Sequence, residues 1–578
     1  MKKNLFSGAE LIARSLEDLG VSCIFGYTGA AILPVMDELA KSSIRIVINA
    51  NEQCAAFSAA GYSRASEQVG VAIVTSGPAI TNTLTAVADS YVDSIPLVVI
   101  AGQVPEHKFG TDSFQHIDVA SVFGPTAKKV FSVKSINNLE MIIKDAYFLA
   151  KSGKPGPVVI DLPLNLQQKE VTYESLPLSQ FSEVYEQEVH LSDRQCEQFF
   201  DLLSQARHPL LYLGGGLNNH KGSEAIRRFN ALFQIPSVNT LMAKGVIDET
   251  EAMHQGMLGM FGTPSANTII QENDLFLAIG VRWDDRVAEK VGFAIQAKIA
   301  FIDIHPEKVQ QIRNERRPTF SFIGNAATIL NDLSDWGLKH AITLDIGAWR
   351  EHAVQLKLSW PLDYNRQAST IQIAQVLEIL NGKLPDDAII TTGVGNHQLF
   401  SAQYLQRKKP RTFLTCGAFG TMGSGMPLAV GAINARPSSP VIVVDGDGSF
   451  RMNMGELFTI GTQQMPIKIL LMNNHADGMV YNLEDISYGG RHSATCRNED
   501  VRFDQIADLC GFGFSKRVVK GTDLEQALEE WLSWTGPAFL EVITDRSEVL
   551  YPVVRPGSSY KEMELGPHIK KVQKQREI

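Results

Sequence analysis

The chain has 578 residues, of which 44% are hydrophobic and 20% are charged, and its formal net charge is −10. Since this length exceeds what a single hydrophobic core supports, it predicts two to four domains. The acidic balance gives no electrostatic reason to expect nucleic acid or an anionic membrane as a partner.

The N-terminal segment MKKNLFSGAELIARSLEDLG has a charged start but lacks the apolar stretch that is typical of a signal peptide. Ser7 and Glu10 instead have the spacing of a capping box, which predicts an amphipathic helix that stops at Gly20. No apolar run reaches the length of a membrane span. The six cysteines are scattered without a CxxC pair, which predicts reduced thiols. We therefore expect a cytoplasmic protein.

Short apolar runs rich in β-branched residues alternate with helical patterns along most of the chain, which is typical of parallel sheets with crossover helices. A first block, residues 1–168, contains CIFGYTG, IRIVINANE, VGVAIVTSG, IPLVVIAGQV and GPVVIDLP, and a polar, linker-like stretch follows it. A second block, residues 190–345, contains PLLYLGGG, DLFLAIGVRW and KIAFIDIHP. A third block, residues 366–560, contains AIITTGVG, VIVVDGDG, IKILLMNN and FLEVITDR, and a charged tail, 561–578, ends the chain. We predict an α/β protein with three doubly wound parallel-sheet domains.

Polar residues follow two predicted strands of the third block. VIVVDG and IKILLMNN are joined by a predicted crossover helix, so Asp447 and Asn474 are expected at the same carboxyl edge of the sheet. A carboxylate and an amide oxygen there suit Mg²⁺ that holds a diphosphate, and Gly446 and Gly448 let the backbone approach it. A DG turn alone is common, but both motifs at this spacing predict a metal–diphosphate site.

This pair of motifs is also the signature of thiamine diphosphate (ThDP) enzymes, and the chain resembles the large catalytic subunits of the acetolactate synthase (acetohydroxyacid synthase) family of ThDP-dependent decarboxylases and carboligases. The resemblance runs through all three blocks. It implies a pyrimidine-binding (PYR) domain, a central FAD-binding-like domain and a diphosphate-binding (PP) domain, in that order. It also implies that Asp447, the side chain of Asn474 and the carbonyl of Ala476 bind Mg²⁺. The ThDP contacts that it implies are Tyr27, Thr75, Pro78, Asn82, Gly395, Asn396, His397, Gly420, Met422, Gly446, Gly448, Ser449, Gly478, Met479 and Val480.

Glu52 follows a predicted strand of the first block, in IRIVINANEQCAAFSAAGYSRA. By the resemblance it is the glutamate that hydrogen-bonds the aminopyrimidine of ThDP and helps to remove a proton. A desolvated carboxylate there would have a raised pKa, which suits sharing a proton with a ring nitrogen. Asn51 stands where the family usually has histidine. The family also implies at least a homodimer, as a dimer or a tetramer, in which Glu52 serves the cofactor of the partner subunit.

Three further residues, one that supports the cofactor and two that are catalytic, take their roles from the resemblance alone. Met422, in GAFGTMGSGMP, matches the residue that holds ThDP in its bent shape. Gln115, in FGTDSFQHID, and Lys128, in PTAKKV, match active-site positions that handle the substrate. Without the resemblance, Gln115 and Lys128 would be interpreted as surface polar residues and Met422 as core filler.

Several segments of the middle block resemble the FAD-binding segments of the family, and each follows or ends a predicted strand. In acetolactate synthases this flavin has no net redox role. Similar glycine turns also occur in ThDP enzymes without flavin, and Asn325 replaces the usual aspartate in GNA. The FAD contacts that the resemblance implies are Gly214, Gly215, Gly216, Thr240, Leu241, Met242, Gly259, Met260, Gly280, Arg282, Asp284, Asp303, Ile304 and Asn325.

The acceptor pocket determines which product is made from pyruvate. In the family, an arginine of RFDDR binds the carboxylate of a second 2-ketoacid; Arg286 in RWDDR is its equivalent, although an ion pair with a neighbouring aspartate would explain it equally well in isolation. Leu483 stands at the usual tryptophan position, Ser487 at an aromatic position, and Phe261 at a histidine position. Loss of the indole opens space in this pocket.

The leading hypothesis is a ThDP- and Mg²⁺-dependent carboligase that decarboxylates pyruvate and transfers the two-carbon unit to a second 2-ketoacid, giving 2-acetolactate-type products. A paralogue that uses another acceptor, such as an aldehyde, a ketone or a sugar-nucleotide ketone, is the main alternative. A pyruvate oxidase and a non-catalytic ThDP-binding or regulatory protein are further alternatives. The family also allows a regulatory subunit as a partner.

Overall fold

The computed structural model describes residues 5–287, 293 and 296–572. These residues form three α/β units, and each unit contains a six-stranded sheet whose neighbouring strands run parallel. The prediction of an α/β protein with three parallel-sheet domains is confirmed. Among the described residues, no helix is both long enough and apolar enough to cross a bilayer.

The first unit begins with the predicted capping box. The amide of Ser7 donates to Oε2 of Glu10 at 2.6 Å, and the amide of Glu10 donates to Oγ of Ser7 at 3.1 Å. The helix that it starts ends at Asp18, just before Gly20. The strands of this unit are β1 (Leu5–Ser7), β2 (Cys23–Gly26), β3 (Arg45–Ile48), β4 (Gly70–Val74), β5 (Leu97–Gln103), β6 (Lys129–Ser132), β7 (Pro157–Pro163) and β8 (Glu170–Thr172). Its helices are α1 (Gly8–Asp18), α2 (Leu33–Leu39), α3 (Glu52–Ser66), α4 (Pro78–Asn82), α5 (Leu84–Asp93), α6 (Val119–Phe123), α7 (Leu139–Lys151), α8 (Leu164–Gln168) and α9 (Ser179–Tyr185).

The polar stretch after residue 168 is more ordered than the predicted linker. β8 pairs antiparallel with β1, with Leu5 opposite Thr172, and α9 buries Phe181 against the first unit. Neither element was predicted, because β8 has only three residues and α9 only seven, too few to establish a hydrophobic period.

The middle unit lies between this stretch and the third unit. Its strands are β9 (Pro209–Leu213), β10 (Ser237–Asn239), β11 (His254–Met257), β12 (Leu275–Ile279), β13 (Lys298–Asp303) and β14 (Phe320–Ile323). Its helices are α10 (Asp193–Ser204), α11 (His220–Phe233), α12 (Pro264–Ile269), α13 (Pro306–Arg316), α14 (Ala326–Lys339) and α15 (Gly347–Ser359). α15 lies between the predicted second and third blocks, and its Trp349 is buried and donates from Nε1 to the carbonyl of Pro209 at 2.9 Å.

The third unit carries the predicted metal site. Its strands are β15 (Ile389–Thr392), β16 (Phe413–Leu414), β17 (Val441–Gly446), β18 (Ile467–Asn473), β19 (Phe514–Val518) and β20 (Ala538–Ile543). Its helices are α16 (Ile373–Lys383), α17 (Asn396–Tyr404), α18 (Gly425–Ala435), α19 (Asp447–Met452), α20 (Glu456–Thr462), α21 (Gly478–Tyr488), α22 (Phe503–Leu509) and α23 (Leu524–Ser533). The single crossover helix predicted between β17 and β18 is two short helices, α19 and α20, because Asn453 leaves the helix and donates from Nδ2 to the carbonyl of Gly423 at 2.9 Å.

The start of the C-terminal tail returns to the middle unit. The hydroxyl of Tyr560 donates to the carbonyl of Val287 at 3.0 Å, and the amide of Val572 donates to the carbonyl of Ser359 at 2.9 Å. The tail therefore covers the middle unit as far as Val572, and residues 573–578 lie outside the described residues.

The three sheets use two strand orders. Numbered from its own first strand, the first sheet (β3-β2-β4-β5-β7-β6) and the third sheet (β16-β15-β17-β18-β20-β19) both have the order 2-1-3-4-6-5. The middle sheet (β11-β10-β9-β12-β13-β14) has the order 3-2-1-4-5-6, which is that of dinucleotide-binding folds. In each sheet the order reverses beside the first strand, and ligands bind at the carboxyl end of such a switch point.

The first and third units share one core. α3 and α18 pack so closely that a Cβ on Gly61 would collide with the carbonyl of Leu428, and a Cβ on Gly431 would collide with the carbonyl of Ser58. The apolar core that contains Phe25 of the first unit continues without interruption into the third. We refer to this contact of α3 with α18 as the seam.

Candidate active site

Asp447 and Asn474 lie at the carboxyl ends of neighbouring parallel strands, as predicted. β17 and β18 pair in register as far as Gly446 opposite Met472, so the residues that follow leave the sheet at one edge. Both Asp447 and Asn474 are buried. Among the described residues, none donates to Oδ1 of Asp447, and burial raises the pKa of this carboxyl to about 6. A buried, unpartnered carboxylate oxygen beside an amide oxygen fits a hard cation such as Mg²⁺.

Two glycines keep the space beside these ligands open. A Cβ on Gly448 would collide with Oδ1 of Asp477. A Cβ on Gly478 would lie 2.7 Å from Nδ2 of Asn474 and 3.0 Å from Nδ2 of Asn396. A side chain at either position would therefore fill the space beside Asp447 and Asn474, which we call the cradle. Its absence leaves backbone N–H groups accessible to a diphosphate.

The strand order of the third sheet reverses between β15 and β17, and the predicted cofactor and metal residues of this unit follow β15, β17 and β18. Nε2 of His397 lies 3.2 Å from Oδ1 of Asp445, and the amide of Gly423 donates to Oγ of Ser449 at 2.9 Å. The residues that the structure gathers at this edge are Gly395, Asn396, His397, Gly446, Asp447, Gly448, Ser449, Asn474, Ala476, Gly478, Met479 and Val480.

The loop of residues 417–422, which carries Gly420 and Met422, is held by acids of the first unit. The amides of its first two residues each donate to Asp93 at 3.0 Å, and its threonine hydroxyl donates to Asp89 at 2.8 Å. Both carboxylates project from α5. The PYR-like unit therefore fixes the loop on which the predicted cofactor support, Met422, lies in the same chain.

Arg64 completes this buried network. Its Nη2 lies 3.1 Å from Oδ1 of Asp89 and 3.0 Å from Oδ2 of Asp93, and its Nη1 donates to the carbonyl of Thr415 at 3.0 Å. The sequence analysis missed these three charged residues. The available signal was an arginine inside the otherwise apolar stretch AAFSAAGYSRA, because a charge there must find buried partners.

Glu52 is the first residue of α3, at the carboxyl edge of the first sheet. Asn51 caps this helix by accepting from the amide of Cys54 at 2.8 Å, which gives the residue at the family's histidine position a structural role. Asn82 donates from Nδ2 to Oε2 of Glu52 at 2.8 Å. Glu52 is only partly buried, so the desolvation expected for it is not reached within one chain.

Other predicted residues of the first unit share this edge. Oγ1 of Thr75 accepts from the amide of Ala31 at 3.2 Å, and Oγ of Ser76 donates to Oε1 of Gln115 at 3.4 Å. Gln115 has a φ of 61°, which is left-handed backbone held against Gly77. Tyr27, after β2, and Pro78, which starts α4, complete the group.

Lys128 lies elsewhere. It precedes β6, so it stands at the amino edge of the first sheet, opposite to the edge that carries Gln115. Its Nζ donates to the carbonyls of Leu149 and Ser152, at 2.6 and 2.7 Å, at the end of α7. Burial lowers the pKa of this amine to about 8. Within one chain, Lys128 and Gln115 are not brought together.

Glycines of the middle unit meet where its strand order reverses. Gly214–Gly216 follow β9, Gly280 follows the neighbouring β12, and the amide of Gly216 donates to the carbonyl of Gly280 at 3.1 Å. The hydroxyl of Thr240, after β10, is buried and has no partner among the described residues. This switch point, where glycine backbones meet beside a polar atom left for a ligand, fits a dinucleotide such as FAD.

The remaining predicted FAD residues follow strands of the same sheet. Burial raises the pKa of Asp303 to about 6, and the amide of His305 donates to its carboxylate at 2.9 Å. Asn325 caps α14 by accepting from the amide of Ala327 at 2.9 Å. The others, all on loops at this edge, are Leu241, Met242, Gly259, Met260, Arg282, Asp284 and Ile304.

Two of the predicted acceptor residues meet on the middle unit. The amide of Met260 donates to the carbonyl of Arg286 at 3.0 Å, and the next residue, Phe261, accepts from Nε2 of Gln403 at 3.0 Å. The Arg286 side chain is 68% exposed, and its Nε lies 3.8 Å from Asp285, so its charge remains available to a ligand. The other two, Leu483 and Ser487, lie exposed on α21.

A second charged cluster, which was not predicted, lies beside Asp447 and Asn474. Nη1 of Arg497 is 3.2 Å from Oδ2 of Asp447, and Nη2 is 2.7 Å from Oδ1 of Asp477. No local pattern predicts this contact, because Arg497 belongs to the irregular segment between α21 and α22.

Comparison with known proteins agrees with this geometry. Three matches cover the three units: "Thiamine pyrophosphate enzyme, N-terminal TPP binding domain" at residues 6–122, the "central domain" at 196–333, and the "C-terminal TPP binding domain" at 393–542. The chain is 36% identical over 558 residues to the acetolactate synthase isozyme 2 large subunit of Escherichia coli (strain K12), which covers 96% of this chain and 99% of the relative.

Other relatives come from a plant and from another bacterium. Acetolactate synthase 2, chloroplastic, of Nicotiana tabacum is 37% identical over 96% of this chain and 85% of its own length. The acetolactate synthase large subunit of Corynebacterium glutamicum is 37% identical over 96% of this chain and 90% of its own length. With three matched ThDP-enzyme domains and relatives similar over almost their whole length, the chain is a ThDP-dependent enzyme that belongs to the acetolactate synthase large-subunit family.

Proposed function

We propose that this protein is an acetolactate synthase that uses ThDP, Mg²⁺ and a non-redox FAD. It consumes two molecules of pyruvate: one loses its carboxylate as CO₂, and the remaining two-carbon unit forms a carbon–carbon bond with the carbonyl carbon of the other, whose carbonyl oxygen takes up a proton. The observation that carries this proposal is the buried Asp447–Asn474 pair at the carboxyl edge of the third sheet, in a chain similar to acetolactate synthases over 96% of its length.

The third unit holds the diphosphate end of the cofactor. Asp447, the side chain of Asn474 and the carbonyl of Ala476 would bind Mg²⁺, and the cradle beside Gly448 and Gly478 accommodates the phosphates. With a single carboxylate among these ligands, the metal needs the phosphate oxygens to complete its shell. Metal and cofactor are therefore expected to bind together.

ThDP, when bound, supplies the nucleophilic carbon that adds to pyruvate and accepts the electron pair released with CO₂. Glu52 would hold the proton exchanged with the aminopyrimidine, and Asn82 fixes the orientation of its carboxylate. Because Glu52 stays partly exposed in one chain, a partner subunit is proposed to cover it, in a homodimer or a tetramer of such dimers. A partner that covers this carboxylate would exclude water from it, which suits proton transfer to the cofactor.

The middle unit is proposed to bind FAD at the switch point where Gly214–Gly216 meet Gly280, with Asp303 and Asn325 at the edge of the same sheet. A Cβ on Gly417 would collide with Sδ of Met242, so Met242 packs against the loop that carries Met422. A flavin bound there would support the wall of the active site without exchanging electrons with the substrate.

The acceptor pocket is proposed to lie between Arg286 and α21. The guanidinium of Arg286 binds the carboxylate of the second ketoacid, since its charge is exposed and only loosely paired. Leu483 is 53% exposed. This opening favours a second candidate function, transfer to a bulkier aldehyde, ketone or sugar-nucleotide ketone.

The names of the relatives add two expectations about partners and location. The bacterial relatives are large subunits, which makes a small regulatory subunit a proposed partner here. A cytoplasmic location remains a proposal as well, and the plant relatives are chloroplastic.

The decisive experiment identifies the products. Purified protein is incubated with pyruvate, ThDP and Mg²⁺, with and without added 2-ketobutyrate, aldehydes or ketones, and the products are separated and identified. We expect 2-acetolactate from pyruvate alone, at a rate that no other acceptor improves. A protein that forms acetolactate poorly but couples the two-carbon unit efficiently to an added ketone or aldehyde would instead support the second candidate.

A further inference from the structure

A guanidinium group lies beside the proposed metal ligand Asp447. Arg497 places Nη1 3.2 Å from Oδ2 of this carboxylate, and its side chain is 18% exposed. Its other terminal nitrogen, Nη2, lies 2.7 Å from Oδ1 of Asp477. The two terminal nitrogens thus each contact a different carboxylate, and the guanidinium lies along one side of the cradle.

The backbone fixes Arg497 to the segment that carries the metal ligands. Ala476 and Cys496 form an antiparallel bridge, the amide of Asp477 donates to the carbonyl of Thr495 at 2.9 Å, and the amide of Arg497 donates to the carbonyl of His475 at 2.8 Å. Diagonal neighbours across such a pairing are within reach of a long side chain. Arg497 therefore moves together with residues 474–477.

Arg546 ties the same two segments together. Its Nε donates to the carbonyl of Asn474 at 3.1 Å, and its Nη2 donates to the carbonyl of Arg497 at 3.5 Å. The position of the Arg497 backbone is thus determined at several points by the loop that would hold the metal. This arrangement is built into the fold and does not depend on one surface ion pair.

The two oxygens of the Asp447 carboxylate have different surroundings. Oδ2 faces Arg497, whereas Oδ1 has no partner among the described residues. A carboxylate whose one oxygen is held by a neighbouring donor presents the other oxygen in a fixed direction, and such outer partners commonly orient metal ligands. The cradle has room for this arrangement because residue 448 is glycine: a Cβ there would lie 3.1 Å from Nη2 of Arg497.

We propose that Arg497 is a positioning residue for the metal: anchored by Asp477, it holds Oδ2 of Asp447 so that Oδ1 is presented to Mg²⁺. This inference rests on the metal site of the proposed function. It gives Asp477 an indirect role, because without that carboxylate the guanidinium loses its second anchor. Arg497 itself touches neither the metal nor the substrate.

The test measures metal affinity directly, with Mn²⁺ as a paramagnetic probe. Free Mn²⁺ is quantified by electron paramagnetic resonance while the full-length protein, saturated with ThDP, is titrated. In Arg497→Met we expect Mn²⁺ affinity to fall about 10- to 100-fold, the usual effect of losing an outer-shell partner. The thermal unfolding midpoint of the variant without metal and cofactor should match that of the wild type. An unchanged midpoint would separate a positioning role from a general structural role.

Three further variants sharpen the result. Arg497→Lys should recover part of the affinity, because an ammonium group keeps the charge but not the two-nitrogen fork. Asp477→Asn should weaken Mn²⁺ binding less than Arg497→Met, and the two losses should not add in the double variant, since they act on one network. Arg502→Met is the matched control, because Arg502 lies in the same chain segment but pairs with Asp504 at 2.6 Å. The affinity of this variant for Mn²⁺ should equal that of the wild type.

A rise in Mn²⁺ affinity, or no change in it, would overturn the inference. If Arg497→Met binds Mn²⁺ more tightly, the guanidinium competes with the metal for Asp447; if affinity is unchanged, Arg497 is only structural. Failure of the proposed function is distinguishable, because it is measured on the wild-type protein. A wild type that binds no Mn²⁺ with ThDP lacks the metal site itself, and one that binds Mn²⁺ but makes no acetolactate has the site without the proposed activity.

Discussion

Two regions differ in how far one chain buries their residues. One is the seam between α3 and α18, and the other is the carboxyl edges of the first and third sheets. At the seam, small residues bring two backbones into contact, and a buried network of Arg64, Asp89 and Asp93 joins the units. At the sheet edges, Glu52 stays partly exposed and Leu483 is 53% exposed. The chain thus completes its own packing but leaves the proposed chemistry open on one side.

The largest expected effect comes from the open edge. Glu52→Gln keeps the size of the side chain and an oxygen for Asn82 but cannot take up a proton, so the rate of acetolactate formation should fall about 10²- to 10⁴-fold. The measurement is steady-state kinetics with pyruvate. Glu197→Gln, on the exposed face of α10, is the control and should retain full activity. Undiminished pyruvate consumption by Glu52→Gln would remove Glu52 from the mechanism.

The next effect breaks the seam. Gly431→Val places a side chain against the carbonyl of Ser58, so α3 and α18 must separate, and we expect a loss of about 1–3 kcal/mol or more in the free energy of unfolding. Denaturant unfolding measures it. Gly382→Val, in α16, is the control, because a Cβ there meets nothing within 4 Å. Equal stability of the two variants would mean that the seam tolerates separation.

A smaller effect connects the seam to the cofactor. Asp93→Asn removes the charge that holds the amides of residues 417 and 418, and with it the support of Met422. Hydrogen bonds to charged groups contribute about 1.5–3 kcal/mol, so ThDP affinity, measured by calorimetry, should fall about tenfold or more. Asp335→Asn, an exposed partner of Arg228, should leave it unchanged. Unaltered ThDP binding in Asp93→Asn would show that the loop holds its shape without this carboxylate.

The smallest effect concerns the choice of acceptor. Leu483→Trp adds a flat wall to the exposed face of α21, which should raise the preference for 2-ketobutyrate over pyruvate. One methylene is worth about 1–3 kcal/mol in such a pocket, so we expect a change of about tenfold in the product ratio. Leu338→Trp, on α14 and 54% exposed, is the control. A ratio that stays the same would place the acceptor away from α21.

The sequence predicted the sheets and the common edge of Asp447 and Asn474 because both depend on local patterns: apolar strands followed by polar residues must leave a parallel sheet at one edge. It did not predict Arg64, Asp93 or Arg497, because their partners are distant in the chain and no local period relates them. The position of Lys128 was not predicted either, since a match to a family position does not tell which edge of the sheet carries the residue in one chain. The two-part crossover α19–α20 was missed because Asn453 takes a tertiary partner that overrides its helical surroundings.

The strand orders of the first and third sheets give the seam a further property. α3 and α18 each follow the second strand of their sheet, and Ser58 faces Gly431 while Gly61 faces Leu428, so these equivalent helices run in opposite directions. One chain is thus a quasi-symmetric pair of unlike halves. In a two-fold dimer each site would combine one half from each chain. A Glu52→Gln chain paired with an Asp447→Asn chain would then contain one intact site and one doubly altered site, so mixing two inactive proteins should restore about a quarter of wild-type activity.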